Sequence, residues 1–319
     1  MTFLSNYLEH ASAIGRAAEH FGHKASTRHP DFCLVLERHG QTRVWLPKFF
    51  VISGDRILYT HIFSDRVVGF AGWMPYPLRQ WPIALDKIAF KRYAIEHGIP
   101  TPAACFDPSL IRGPFIIKHA HSSFGEGIRG PFLIYDAKEP TQQLLEGEYY
   151  ENFIVGLIAK AWYWGTELVA LHFHKPSIVT GDGSSTVREL VLRLPNFRKK
   201  NDWELILRLA RYGGVRSLEE VVREAKQVLV EFRYGSRYEV AGRGNPNVLK
   251  RADELAPVAQ FKTASELASA TSPEAEGAPV LYTLDAIVDE AGEVFFLEMN
   301  CNPVVHPDCY DSMLRALGM

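Results

Sequence analysis

Two runs of apolar, β-forming residues near the C-terminal end, "LYTLDAIVD" (281–289) and "EVFFLEMN" (293–300), meet at the turn-forming stretch "DEAGE". Runs this close in sequence can pair only as an antiparallel hairpin, because parallel neighbours need a crossover of a dozen or more residues. Alternate side chains of a strand point to opposite faces, so Glu298 and Asn300 project together. Asp285 lies on the partner strand, and the hairpin brings it to the same neighbourhood. Ordinary strand-end acids in salt bridges would also look like this. As a set, however, two carboxylates and a carboxamide without His or Cys suit Mg²⁺, which takes hard oxygen ligands and keeps waters and phosphates.

A second cluster is "IIKHAHSSFGEGI" (116–128). A strand delivers Lys118 and is followed by a loop containing Ser122, Ser123, Gly125 and Gly127. Glycines let backbone N–H groups approach phosphate oxygens, serines add donors, and the lysine supplies charge. The spacing is neither a Walker A loop nor a dinucleotide fingerprint. Alone, the loop is equally readable as a plain connection between strands.

At 47% apolar and 23% charged residues, the 319-residue chain has the composition of a soluble globular protein. A formal net charge of -2 provides no general attraction to nucleic acid or to an anionic membrane. No apolar run approaches the ~18 residues of a membrane span. Four cysteines without paired spacing point to a reducing, cytoplasmic location. The opening stretch reads as an amphipathic helix on Leu4, Leu8, Ala11, Ile14, Ala18 and Phe21. Short strands follow to about Trp81, then a helix stopped by Gly98 and by Pro100 and Pro102. Residues 149–179 read as a strand meander and 186–194 as a helix. The stretch "SLEEVVREAKQVLVEF" (217–232) reads as a second helix with Ser217 and Glu220 as its capping box. The small, polar run 264–280 reads as a surface loop.

In this order, the pieces from Asp86 to Pro307 resemble the ATP-grasp ligase superfamily. "LDKIAFKRYAIEHGIPTP" is similar to the family's opening helix, with Lys91 as its first nucleotide lysine, and Lys118 matches the second. "YYENFIVG" resembles the hinge that holds adenine, which implies Glu151, Phe153 and Ile154 there. "KPSIVTGDGSSTVREL" resembles a segment of the cyanophycin-synthetase and peptide-ligase branches. Asp285, Glu298 and Asn300 match the magnesium ligands in type and spacing, and the lysine and metal motifs are also similar to those of D-alanine–D-alanine ligases.

The resemblance implies an α+β, ATP-grasp fold in which two α/β subdomains (85–155 and 156–319) grip ATP, preceded by a small N-terminal α/β unit (1–84). It implies ATP and two Mg²⁺ ions as cofactors, with Mn²⁺ able to substitute. Nucleotide contacts fall on Lys91, Lys118, Ser122, Ser123, Gly125, Gly127, Glu151, Phe153, Ile154 and Lys160. Catalytic charge falls on Lys118 and on Arg243, in "AGRGNPN". Substrate contacts fall on His174, Lys175, Asn245 and His306. The implied activity is ATP-dependent joining of a small carboxylic acid to an amine or amino acid through an acyl phosphate. Neither nucleic acid nor membrane is implied as a partner, and a homodimer is compatible with the resemblance. A kinase-type phosphoryl transfer or a nucleotide-binding regulatory module would use the same residues. Two positions depart from the family: Ile158 stands where an acid usually holds ribose, and Thr283 where some branches carry arginine. Cys301, His306 and Cys309 lack the fourth partner that zinc requires.

Overall fold

The computed structural model describes residues 3–53, 56–122, 127–133, 142–194, 203–232, 247–250, 256–269 and 279–316. The chain opens with helix α1 (Phe3–His20), whose Ala13, Ile14, Ala17 and Ala18 are buried. Strands β1 (Lys24–Arg28), β2 (Cys33–Arg38), β3 (Gln41–Ser53), β4 (Arg56–Thr60) and β5 (Val67–Met74) follow, forming an antiparallel sheet with the long β3 at its centre. α2 (Pro82–Leu85) and α3 (Lys87–Glu96) lead into a second sheet, ordered β6-β9-β7-β8, from β6 (Ala104–Cys105), β7 (Phe115–His119), β8 (Arg129–Phe132) and β9 (Glu148–Asn152). As the sequence suggests, Gly98 ends α3 with φ of +67°, a left-handed conformation open to glycine.

The third sheet positions the site. β10 (Leu157–Trp164) and β11 (Glu167–His174) form one hairpin, and β14 (Leu281–Val288) and β15 (Val294–Asn300) the predicted other. All pair antiparallel in the order β11-β10-β14-β15. One face buries Ala159, Ala161, Tyr163, Leu171, Tyr282, Leu284 and Ala286 in a core with Phe90 of α3 and Phe261 of α6 (Ala256–Ser269). The opposite face carries Trp162, Trp164, Ala170 and Leu281 into a different core, shared with α1, the first sheet and α7 (Cys309–Ala316). The N-terminal unit therefore has no separate core. It covers part of one face of the third sheet and leaves the row beyond Trp162 to the site. Among the described residues no helix is long and apolar enough to cross a membrane.

Between the hairpins, β12 (Ile178–Thr180) pairs with β13 (Gln227–Leu229), and α4 (Val187–Leu192) and α5 (Trp203–Tyr212) pack above them. The helix expected at 217–232 does not form. Its backbone is used elsewhere: the carbonyls of Glu220 and Leu218 accept from Val187 and Arg188 at the start of α4, and those of Val222 and Lys226 accept from Gly183 and Gly181. The first amides of a helix need outside partners, and this segment supplies them at the expense of its own helical bonds. Gly181 permits the approach, because a Cβ there would lie 2.1 Å from the Arg223 carbonyl oxygen. The run expected as a loop from 264 is helical to Ser269 as the last turns of α6, which buries Ala264 and Ser265.

Candidate active site

Antiparallel register puts opposed residues on one face. His172 lies opposite Lys160, Lys160 opposite Asp285, and Asp285 opposite Glu298. One residue from each of the four strands thus forms a row across the third sheet, on the face where Trp162 and Thr283 also lie. Lys160 Nζ is 2.6 Å from Asp285 Oδ1, and Asn300 Nδ2 donates to Asp285 Oδ2 at 3.4 Å. Asp285, Glu298 and Asn300 do converge.

Lysines arrive at this row from α3 and the second sheet. Asp86 starts α3 by accepting from Ile88 and Ala89 N–H. Lys87 and Lys91, four apart, share a helix face. Lys87 Nζ lies 3.0 Å from Glu298 Oε2 and also donates to the Ser122 carbonyl. Lys91 is 2.7 Å and Lys118 2.6 Å from the carboxylate of Glu151, which is 2% exposed. Lys91 also donates to Thr101 Oγ1 and the Pro102 carbonyl. Glu151, expected at the hinge, therefore turns its carboxylate to the two lysines. Lys87 escaped sequence reading, although its four-residue spacing from Lys91 was the available signal.

Burial and neighbouring charge pull against each other on Glu151, Glu298, Asp285 and Lys91, and the winner differs from group to group. Desolvation pushes the Glu151 carboxyl up, but Lys118 and Lys91 outweigh it and hold the group below the usual range. Glu298 is likewise held down, burial being outweighed by Lys87, Lys118 and Lys160. Asp285 is pushed up by burial and by Glu298, against the pull of Lys160. Burial lowers Lys91, with Lys118 adding to it against Glu151.

A cavity of about 110 Å³ is lined by Lys87, Ser122, Glu298 and Asn300 among others. Ligand pockets usually measure about 300–1,000 Å³, so this one suits a cation and phosphate oxygens and not a whole nucleoside. Among the described residues no three His, Cys, Asp or Glu side chains gather as a metal site. The chemistry of the donor set, two carboxylates and a carboxamide with Glu298 and Asn300 lining the cavity, nevertheless fits Mg²⁺, whose remaining positions are taken by water and phosphate.

The other expected residues are spread more widely. Ser122 Oγ donates back to the His119 carbonyl, and Gly127 is exposed with φ of +71°. Phe153 packs edge-on against Tyr212 and Phe232, with Ile154 half-buried beside it. Gly156 follows, where a Cβ would fall 2.1 Å from the Val288 carbonyl oxygen. Ile158, at the expected ribose position, is buried between His174 and Ile287. Thr283 is fully buried, and its hydroxyl has no partner among the described residues. His174 is buried and Lys175 exposed at the end of β11. Ser123, Gly125, Arg243 and Asn245 lie outside the described residues.

At the far end of the row, His306 Nε2 is 2.9 Å from His172 Nε2, and Trp162 packs against both rings. Asp308 N–H donates to His306 Nδ1 at 3.1 Å. The N-terminal unit reaches the same region. Lys48, wholly buried beneath the Tyr59 ring, donates to the Pro303 carbonyl, and burial lowers it to about 7.

No protein-family model and no curated protein matches the chain. Among solved structures, it is similar to a bifunctional glutathione synthetase from Pasteurella multocida, at 14% identity over 93% of this chain and 43% of that one, with a TM-score of 0.41. It is similar to a D-alanine–D-alanine ligase from Bacillus anthracis, at 14% identity over 73% of this chain and 65% of that one, with a TM-score of 0.41. It is also similar to the ATP-grasp ligase PsnB bound to a minimal precursor, at 13% identity over 73% and 60% of the two chains, with a TM-score of 0.36. The chain spans less than half the length of the glutathione synthetase.

Proposed function

We propose that this protein is an ATP-dependent carboxylate–amine ligase, in which a substrate acid is activated as its acyl phosphate and captured by an amine. The observation that carries the reading is the set of ion pairs that ties Lys87, Lys91, Lys118 and Lys160 to Glu298, Glu151 and Asp285, with Lys87 and Glu298 lining a polar cavity. Four ammonium groups face three carboxylates, so one positive charge is in excess. A site of this kind favours an anionic, metal-bound triphosphate over a neutral ligand.

Asp285, Glu298 and Asn300 would hold Mg²⁺, which when bound neutralises phosphate charge and polarises the transferring phosphoryl group. Lys160 and Lys87 keep the two carboxylates charge-compensated. Lys118 and Lys91, held by Glu151, present fixed ammonium groups to phosphate oxygens; such preorganised charge needs no rearrangement during reaction. The half-buried row, covered at one end by the N-terminal unit, limits the access of water to an activated acid.

The test is phosphate release over a matrix of amino acids, small carboxylic acids and amines, with mass analysis of products. Release of ADP and phosphate only when acid and amine are both present supports the ligase. A stable phosphorylated product formed from one substrate replaces it with a kinase, and nucleotide binding without turnover across the matrix replaces it with a regulatory module.

A further inference from the structure

The His172–His306 contact fixes more than a distance. Asp308 N–H donates to His306 Nδ1, so that nitrogen is an acceptor and a neutral His306 carries its proton on Nε2. His306 Nε2–H then donates to His172 Nε2 across 2.9 Å, and a neutral His172 must carry its proton on Nδ1. His172 Nδ1 has no partner among the described residues, and the residue is half-buried on the same face as Lys160. Every other polar position of the pair is occupied, which leaves one N–H donor of fixed tautomer on a residue directly opposite Lys160 in the sheet.

We propose that His172, locked as its Nδ1–H tautomer by His306, determines specificity by binding a non-reacting carboxylate of the substrate together with Lys160. This rests on the ligase reading of the same site. An oxyanion is the natural partner of one neutral donor and one cation. It is a non-reacting oxyanion held on the His172 side of Lys160, whose other side meets Asp285 at 2.6 Å, because His172 itself lies two strands from Asp285, about 10 Å at the ~4.8 Å interstrand spacing. A general-base role is the alternative for a histidine here. Burial, with Lys160 adding to it against Asp308, pushes His172 down to about 4, too weak a base to take a proton from an ammonium substrate. The same shift keeps the ring neutral, as the donor role requires.

The experiment has two arms. In the first, ¹⁵N and ¹³C ring shifts of His172, assigned by its loss in His172→Ala, are recorded with all twenty free amino acids, small carboxylic acids and the methyl esters of each. The Nδ1–H tautomer and a shift produced by free acids but not by esters are expected. An Nε2–H tautomer, equal response to acids and esters, or no response to any compound overturns the proposal. This arm needs no turnover: a carboxylate response without phosphate release sinks the ligase reading and leaves the histidine assignment standing.

In the second arm, the amide of His172→Asn places an N–H near Nδ1, whereas that of His172→Gln places it near Nε2. For the substrate that responds in the first arm, the KM of His172→Ala and His172→Gln should rise about tenfold or more, as expected for loss of a hydrogen bond to a charged group. His172→Asn should recover most of it, and the KM for ATP should stay within about twofold of the parent, well inside one hydrogen bond's worth. Gln rescuing as well as Asn, or all three variants raising the KM for ATP equally, reduces His172 to a structural residue.

Discussion

Replacing Glu151 by Gln keeps the shape of a buried side chain and removes the one anion that two buried lysines share. Lys91 is 3% exposed and Lys118 7%, and both approach the Glu151 carboxylate within 2.7 Å. Breaking a buried ion pair from one side costs about 3–5 kcal/mol, because the stranded partner loses its compensation without regaining water. With two lysines stranded, the upper half of that range applies, about 4–5 kcal/mol. At roughly 2 °C per kcal/mol for a chain of this size, the melting temperature should fall by about 8–10 °C.

Urea unfolding of parent and variant at pH 7 measures the free-energy loss directly. Lys91→Met in the Gln background should restore part of it by removing one stranded ammonium group, a coupling that a double-mutant cycle isolates. The pH dependence has a definite sign. A carboxyl held below its ordinary value of 4.5 contributes stability that is complete above that pH and disappears as pH falls through the folded-state value. The gap between parent and variant should therefore close in acid. A loss under about 1 kcal/mol at pH 7, within reach of an ordinary surface change, would refute the claim that Glu151 is the counter-ion of this cluster.

Glu298→Gln should leave the protein folded and reduce turnover by about 100-fold or more, since a charged oxygen donor is lost where transition-state charge must be balanced; turnover within twofold of the parent refutes the ligand assignment. Lys87→Ala should lower kcat/KM for ATP by about tenfold, roughly one charged contact, with Lys87→Arg retaining more, and steady-state kinetics showing no loss in the Ala variant would remove Lys87 from the site. Thr186→Ala removes the hydroxyl that accepts from Glu189 N–H at the start of α4, with an expected cost of about 1 kcal/mol in chemical unfolding; Glu189→Ala should cost a similar amount, and no effect from either would mean that the capping box is idle.

Local patterning carried the chemistry further than it carried the architecture. The hairpin of β14 and β15 was legible because apolar alternation and a tight turn are local signals, and Asp285, Glu298 and Asn300 followed from it. Lys118 was legible as a strand-end lysine before a Gly/Ser loop. The orientation of Glu151 was not, because its carboxylate answers to Lys91, sixty residues away in sequence. The failed helix at 217–232 has good intrinsic propensity, yet its carbonyls serve α4 and the loop from Gly181, a demand that no local window reveals. α5 and α7 were passed over, although each buries an apolar stripe, because their partners are distant in sequence: β8 and β13 for α5, and α1, β10 and β11 for α7. The pairing of His172 with His306 across 134 positions was equally invisible.

The row from His172 through Lys160 and Asp285 to Glu298 takes one residue from each of four hydrogen-bonded strands. Its graduations are consequently those of the sheet itself: three gaps of about 4.8 Å, or about 14 Å from end to end. Side chains can lean, but the strands cannot move apart without surrendering their ladders. The sheet is in effect a ruler with a carboxylate, Glu298, at one edge and a histidine, His172, at the other.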